Sequence, residues 1–229
     1  AVGELGDVEA GEVLLMEGRY VNHPKFGAQF CVEYCERKLP NTSINICKYL
    51  SSSAIKGIGP ALAKRIVDVF GERTLEIMEK EPSKLLEIRG ISPKKCESIS
   101  EEVKKIFNLR HLMIFLSKYG LKSGIAMKAY QQWGHQAIEL IKENPYCLCS
   151  VNIGLSFKKA EIVAKEMNVS PNSHKRIEAG FSFILSENAN AGHSCLPVDV
   201  FENLARKYLQ IAESDFYDVY NEMIEEEKE

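Results

Sequence analysis

The chain has 229 residues, 45% of them hydrophobic, enough to bury a core of its own and suggestive of one to three compact units. Its formal net charge is −3, so bulk charge alone gives no sign of a nucleic-acid partner. No stretch is long or apolar enough to cross a membrane, and no basic start with an apolar run marks a secretory leader. The seven cysteines, odd in number and without paired Cys-x-x-Cys spacing, read as reduced thiols, so the default compartment is the cytoplasm.

Residues 12–40 read as β structure. Val13, Leu15 and Gly18-Arg19-Tyr20-Val21 lead into a turn at His23-Pro24-Lys25-Phe26-Gly27, after which Phe30, Val32 and Tyr34 alternate inward, with Cys31 and Cys35 sharing a face. Two or three strands cannot close a barrel. The expectation is therefore part of a small OB-like barrel, over residues 1–42, whose first strands lie upstream.

Lys56-Gly57-Ile58-Gly59-Pro60-Ala61-Leu62-Ala63-Lys64 is the most informative stretch. Two glycines can take φ > 0 and leave no Cβ in the way, Pro60 suits the first helical position, and backbone N–H groups then converge at a helix start. A phosphate there meets unpaired N–H groups and the positive end of the helix dipole, with Lys64 and Arg65 one turn on. Taken alone, Gly-x-Gly between helices is also ordinary C-cap punctuation.

It does not stand alone. A shift of 63 residues lays Gly57 on Gly120, Phe70-Gly71 on Trp133-Gly134, and Pro82 on Pro145. A shift of 64 then lays Gly90-Ile91-Ser92-Pro93-Lys94-Lys95 on Gly154-Leu155-Ser156-Phe157-Lys158-Lys159. The result is four helix-hairpin-helix turns in two tandem pairs, over residues 43–108 and 109–170. Their central Ile or Leu is expected to plug the core between two helices. Ala63, Ile66, Val67 and Phe70 form a matching apolar stripe.

Beyond the repeats, residues 176–186 and 198–209 read as amphipathic helices joined through Gly192-His193-Ser194-Cys195-Leu196-Pro197, and a third helix starts near Ser214. Residues 171–229 are thus a helical, winged-helix-like unit. The fold class is mainly α, with tandem hairpins between a partial β unit and this helical end. Charge follows the same division. Residues 49–125 hold 14 Lys and Arg against 9 acids, whereas residues 213–229 hold 8 acids against Lys228.

These segments together resemble the RecD-like helicases of bacteria, in the long form with an extended N-terminal region. The resemblance rests on Gly18-Arg19-Tyr20-Val21 with the 23–30 turn, Tyr49-Leu50-Ser51-Ser52 leading to the first hairpin, Glu143-Asn144-Pro145-Tyr146, and Gly192-His193 with Leu196-Pro197. It implies a superfamily 1 motor that moves 5′→3′ on single-stranded DNA, using ATP and Mg²⁺, with this region ahead of the motor. The chain itself has no G-x-x-x-x-G-K-[ST] loop, and its five scattered histidines suggest no catalyst, so no cofactor, metal or catalytic residue is assigned to it and no ATPase activity is expected.

The expected partners are DNA (duplex, fork or single strand), the motor core in cis, and candidate replication or repair proteins; no membrane is expected. Backbone contact is assigned to Lys56, Gly57, Ile58, Gly59, Ala61, Lys64 and Arg65 at the first hairpin and to Gly90, Ser92, Lys94 and Lys95 at the second. Lys122 serves at the third, and Gly154, Ser156, Lys158 and Lys159 at the fourth. Where this family usually shows glycine, Ser156 departs from the pattern, and Ser92 raises the same question. Two other readings stand beside this one: a protein-interaction scaffold whose hairpins only pack, and a nuclease or ligase fragment, for which no metal-binding carboxylate cluster is seen.

Overall fold

The computed structural model describes residues 2, 10, 11, 13–52 and 55–226, with the side chains of residues 33–37 and 226 outside that description, so the expected inward alternation of Tyr34 lies outside it too. The fold is mainly α-helical with one two-stranded antiparallel sheet. It divides into two compact units, Ala1–Phe107 and Asn108–Glu229.

In the first unit, β1 (Val13–His23) and β2 (Gly27–Lys38) form the expected hairpin, closing with His23 opposite Gly27. The register breaks between Glu17 and Gly18: Tyr34 pairs with Glu17 but Val32 with Gly18, so Glu33 is an extra residue. A bulge of this kind interrupts the two-residue period. The face expected to be shared by Cys31 and Cys35 lies outside the description, since the side chain of Cys35 does. Val2 adds a parallel bridge to Cys31.

Helix α1 (Ser43–Ser51) starts at Thr42, whose hydroxyl accepts from the Asn45 N–H at 3.4 Å. There follow α2 (Pro60–Phe70), α3 (Thr74–Lys80) and α4 (Pro93–Ser117). Ile46, Leu50, Ala63, Ile66, Ile99 and Val103 are fully buried between them; of the stripe seen in the sequence, Ala63, Ile66 and Val67 are buried and Phe70 is half-buried.

The second unit repeats this order. Helix α5 (Ser123–Trp133) lies 63 positions after α2, the 3₁₀ turn Gly134–Gln136 after Gly71–Arg73, and α6 (Ala137–Glu143) after α3; a 3₁₀ segment from Pro145 matches one from Pro82. Helix α7 (Phe157–Glu166) lies 64 positions after the start of α4. The special backbone conformations repeat as well, since Gly71 has φ 57° and ψ −134° and Gly134 has φ 58° and ψ −131°. The order of elements is the same in both halves, as the duplication requires.

Three further helices complete the unit: α8 (His174–Asn190), α9 (Val198–Leu209) and α10 (Glu213–Glu226). Phe181, Phe201 and Phe216, one from each, meet with ring centroids 4.9 to 5.5 Å apart. Gln210 in the left-handed region ends α9. No strand accompanies these helices among the described residues, so the wing that a winged-helix unit would add is not seen there.

Helices α8 and α9 touch at Gly180, where a Cβ would lie 2.5 Å from a Leu209 methyl that is itself buried. Gly180→Ala should therefore destabilise the fold by about 1–3 kcal/mol through overpacking, lowering the melting temperature by about 3–8 °C in a calorimetric scan.

Helix α7 is tied to this helical end by one polar network. Arg176 on α8 makes a two-pronged ion pair with Glu161 on α7, both nitrogens at 2.9 Å, and also donates to the carbonyls of Pro171 at 2.7 Å and Leu209 at 3.0 Å. The Tyr146 hydroxyl donates to the same carboxylate at 2.6 Å. Burial pushes the Glu161 carboxyl up, but the hydrogen bonds from Arg176 and Tyr146 and the guanidinium charge outweigh it and hold its pKa below the ordinary value. Burial, and then the same carboxylate, raise the Tyr146 phenol far above its usual range.

Candidate nucleic-acid interface

At the first hairpin the two glycines have different jobs. Gly57 has φ +89°, a left-handed conformation that only glycine adopts without strain. Gly59 has φ −94° and ψ 173°, extended backbone open to any residue. The expectation that Gly59 uses a positive φ is thus corrected: its backbone is extended, and what its missing side chain supplies is room, since a Cβ there would meet nothing within 4 Å.

Ile58 between them is 4% exposed and plugs the core, as expected. With this side chain turned inward, the backbone of the turn faces outward. Ile55, Lys56, Gly57, Ile58 and Gly59 line an open concavity of about 460 Å³. The Gly59 carbonyl accepts from the N–H groups of Leu62 and Ala63, whereas the N–H groups of Gly59 and Ala61 donate to no backbone carbonyl among the described residues. Lys56 and Lys64 are exposed beside the turn. Uncommitted helix-start donors, room and flanking cations are what a phosphate oxygen needs.

The other turns keep the geometry in part. Gly90, Gly120 and Gly154 have φ of +94°, +68° and +74°, matching Gly57. Ile91 and Leu155 are buried, and Leu121 is half-buried. Ser92 caps its own helix, its hydroxyl accepting from the Lys95 N–H at 3.3 Å, so the start of α4 is already partly satisfied. Ser156 makes no such side-chain cap, and the N–H groups of Ser156 and Lys158 donate to no backbone carbonyl among the described residues. The fourth turn therefore stays as open as the first. Lys94, Lys122, Lys158 and Lys159 are exposed and Lys95 is half-buried.

Arg65 is positioned differently from a simple second cation. Its Nη1 donates to the carbonyl of Arg89 and its Nε to that of Ala61 at 3.3 Å, so the guanidinium lies against the second turn, 3.1 Å from where a Cβ on Gly90 would be. The second repeat does the same with Lys128, whose Nζ donates to the Ile153 carbonyl at 3.1 Å. Arg65 and Lys128 stand 63 positions apart and the accepting carbonyls 64. Lys128 was not among the residues singled out from the sequence, although the offset that revealed the repeat points to it.

Burial, followed by the neighbouring thiol, pushes Cys147 up to about 12, and burial, followed by Glu161, pushes Cys149 up to about 11. Both thiols are protonated and unreactive at neutral pH. His174 pairs with Glu222 at 2.8 Å on the surface. Among the described residues no group of His, Cys, Asp and Glu is assembled to hold a metal ion, and no helix is long and apolar enough to cross a membrane.

Paired hairpins with glycine turns, each plugged by an aliphatic residue, define a tandem helix-hairpin-helix protein. Residues 49–105 match the SAM-like helix-hairpin-helix tandem. Residues 105–195 match the helix-hairpin-helix domain of the ATP-dependent RecD2 DNA helicase, and residues 1–40 the OB-fold domain of the ATP-dependent DNA helicase YrrC. The chain is 24% identical over 198 residues to the ATP-dependent RecD2 DNA helicase of Deinococcus radiodurans, a match covering 85% of this chain and 27% of that protein. The aligned region thus amounts to about a quarter of the length of its relative. No solved structure matches. In the order of these matched domains the chain is similar to part of the RecD-like helicases.

Proposed function

We propose that this chain grips the DNA backbone without sequence preference, as an accessory region of a 5′→3′ ATP-dependent helicase. The observation that carries the reading is the first turn: a concavity of about 460 Å³ lined by residues 55–59, with the N–H groups of Gly59 and Ala61 donating to no backbone carbonyl among the described residues and Lys56 and Lys64 alongside. Such a site recognises a phosphate and no base edge. ATP and Mg²⁺ belong to the motor core in cis, and the cytoplasm is the compartment this activity requires.

The hairpins do not contribute equally. The first and fourth turns are the phosphate sites. The second is self-capped by Ser92, which favours packing there. That one hairpin supports, locally, the alternative in which hairpins serve as scaffold for replication or repair proteins.

Salt separates the two readings. With about two to four phosphates neutralised, raising salt from about 50 to about 200 mM should weaken binding by about 10- to 150-fold, on duplex and forked oligonucleotides alike, in fluorescence anisotropy. Absence of binding to duplex, fork and single strand at low salt would transfer the chain to the scaffold reading.

A further inference from the structure

A groove of about 280 Å³ opens beside the fourth turn, walled by α7, α8 and α9. Lys158, the second residue of α7, lines it together with Phe183, Asn188, Leu204 and Tyr208. Its aromatic wall is layered. Phe157 stacks on Phe183 at 5.5 Å with planes 18° apart, and Phe183 meets Tyr208 at 5.4 Å and 31°. Phe157 is buried, whereas Tyr208 is 43% exposed, and Leu204, one turn earlier on α9, is 40% exposed. An aromatic and an aliphatic side chain held half in water around a concavity are more than packing requires.

The chemistry of the lining selects the occupant. Glu187 also lines the groove, so its carboxylate disfavours a phosphate inside it, while Lys158 and the uncommitted N–H groups of Ser156 and Lys158 favour a phosphate at the turn. A cationic turn next to an acid-bearing aromatic groove suits a group with an anionic backbone and a neutral, flat appendage. The Asn188 amide nitrogen donates to the Ile184 carbonyl at 2.9 Å, which fixes the amide and leaves its oxygen, with Glu187, to accept from an exocyclic amino group. At about 280 Å³ the groove has room for one planar base.

We propose that this groove takes an unstacked nucleobase of a single strand whose phosphate is held at the fourth turn. The inference rests on the backbone-binding reading and narrows it. Bases within a duplex are stacked and cannot enter, so the groove gives this chain a preference for single-stranded segments that a phosphate clamp alone lacks.

The test measures anisotropy at low salt with a labelled single-stranded oligonucleotide, the same strand in duplex, and the same strand carrying abasic positions, on wild-type protein and on Tyr208→Ala. The variant should bind the single strand about fivefold or more weakly and the duplex within about twofold of wild type, and wild type should bind the abasic strand about as weakly as the variant binds the intact one. Leu204→Glu adds a second acid to the groove at a half-exposed position and should give the same selective loss, which covers the case of Tyr208→Ala failing to fold. Unchanged single-strand binding in either folded variant would overturn the groove assignment and leave an apolar polypeptide as the better occupant. So would an equal loss on duplex and single strand. If wild type bound no DNA at all, the backbone reading and the groove would fall together, whereas weakened binding in Gly59→Val with none in Tyr208→Ala would remove the groove alone.

Discussion

Gly59→Val should bind forked DNA at least about tenfold more weakly than wild type, equivalent to about 1.4 kcal/mol, while melting within a few degrees of it. The two halves of that result come from separate features of the turn. Extended backbone at φ −94° accepts valine without strain, and the space a Cβ would enter is open, so stability is nearly untouched. The same side chain would stand in the concavity next to the uncommitted N–H groups, where a phosphate oxygen must approach to hydrogen-bond distance. Gly57→Val is the contrasting variant: at φ +89° a β-branched residue is strained, so it should lose stability as well as binding. Lys158→Ala removes one exposed, salt-screened charge and should weaken forked-DNA binding less than Gly59→Val does. Equal or reversed losses in folded Gly59→Val and Lys158→Ala would mean that the first turn is not the main clamp.

Arg176→Ala should destabilise the second unit markedly. The side chain is 14% exposed, its partner Glu161 31%, and the guanidinium satisfies two backbone carbonyls besides the carboxylate. Truncation leaves a half-buried carboxylate with only Tyr146 to donate to it. Full burial would cost about 3–5 kcal/mol; with partial exposure, about 2–3 kcal/mol is expected, or about 4–10 °C in the melting temperature. The pH dependence fixes the mechanism. Glu161 has a folded-state pKa below its unfolded one, so its contribution is fully present above the unfolded value near 4.5 and disappears as pH falls through the folded value. The stability gap between wild type and Arg176→Ala should accordingly be wide at neutral pH and narrow in acid. A gap that stayed constant from about pH 7 to about pH 3 would show that Arg176 acts through packing alone.

What was legible in the sequence was periodic. Gly57 and Gly90 recur as Gly120 and Gly154, 63 and 64 positions on, with an aliphatic residue after each, and that pattern gave the turns, their plugs and the order of the helices. What was not legible depended on direction. Gly57 and Gly59 are the same letter, and nothing in Gly-Ile-Gly says which backbone is left-handed and which extended. The contact of Arg65 with the second turn was not legible because its partner is a main-chain carbonyl 24 residues away, and a carbonyl carries no sequence signal. Ser92 and Ser156 look interchangeable, yet one hydroxyl accepts from its own helix and the other makes no such cap. Leu204 and Tyr208 fit an amphipathic helix well enough that their exposure toward a groove could not be told from burial in a core.

The pairing of Arg65 with Arg89 and of Lys128 with Ile153 also bears on how this duplication has aged. The two copies have diverged at the cationic position, from guanidinium to ammonium, and at the accepting residue, from arginine to isoleucine, yet each still directs a positive head at the carbonyl one residue before the turn glycine. What survived copying is a charge in a place, and the side chain of the acceptor was free to drift because only its main chain takes part. Residue identity therefore undercounts the kinship of such repeats, and a comparison that scored contacts to backbone atoms would find ancestry where letters have already parted.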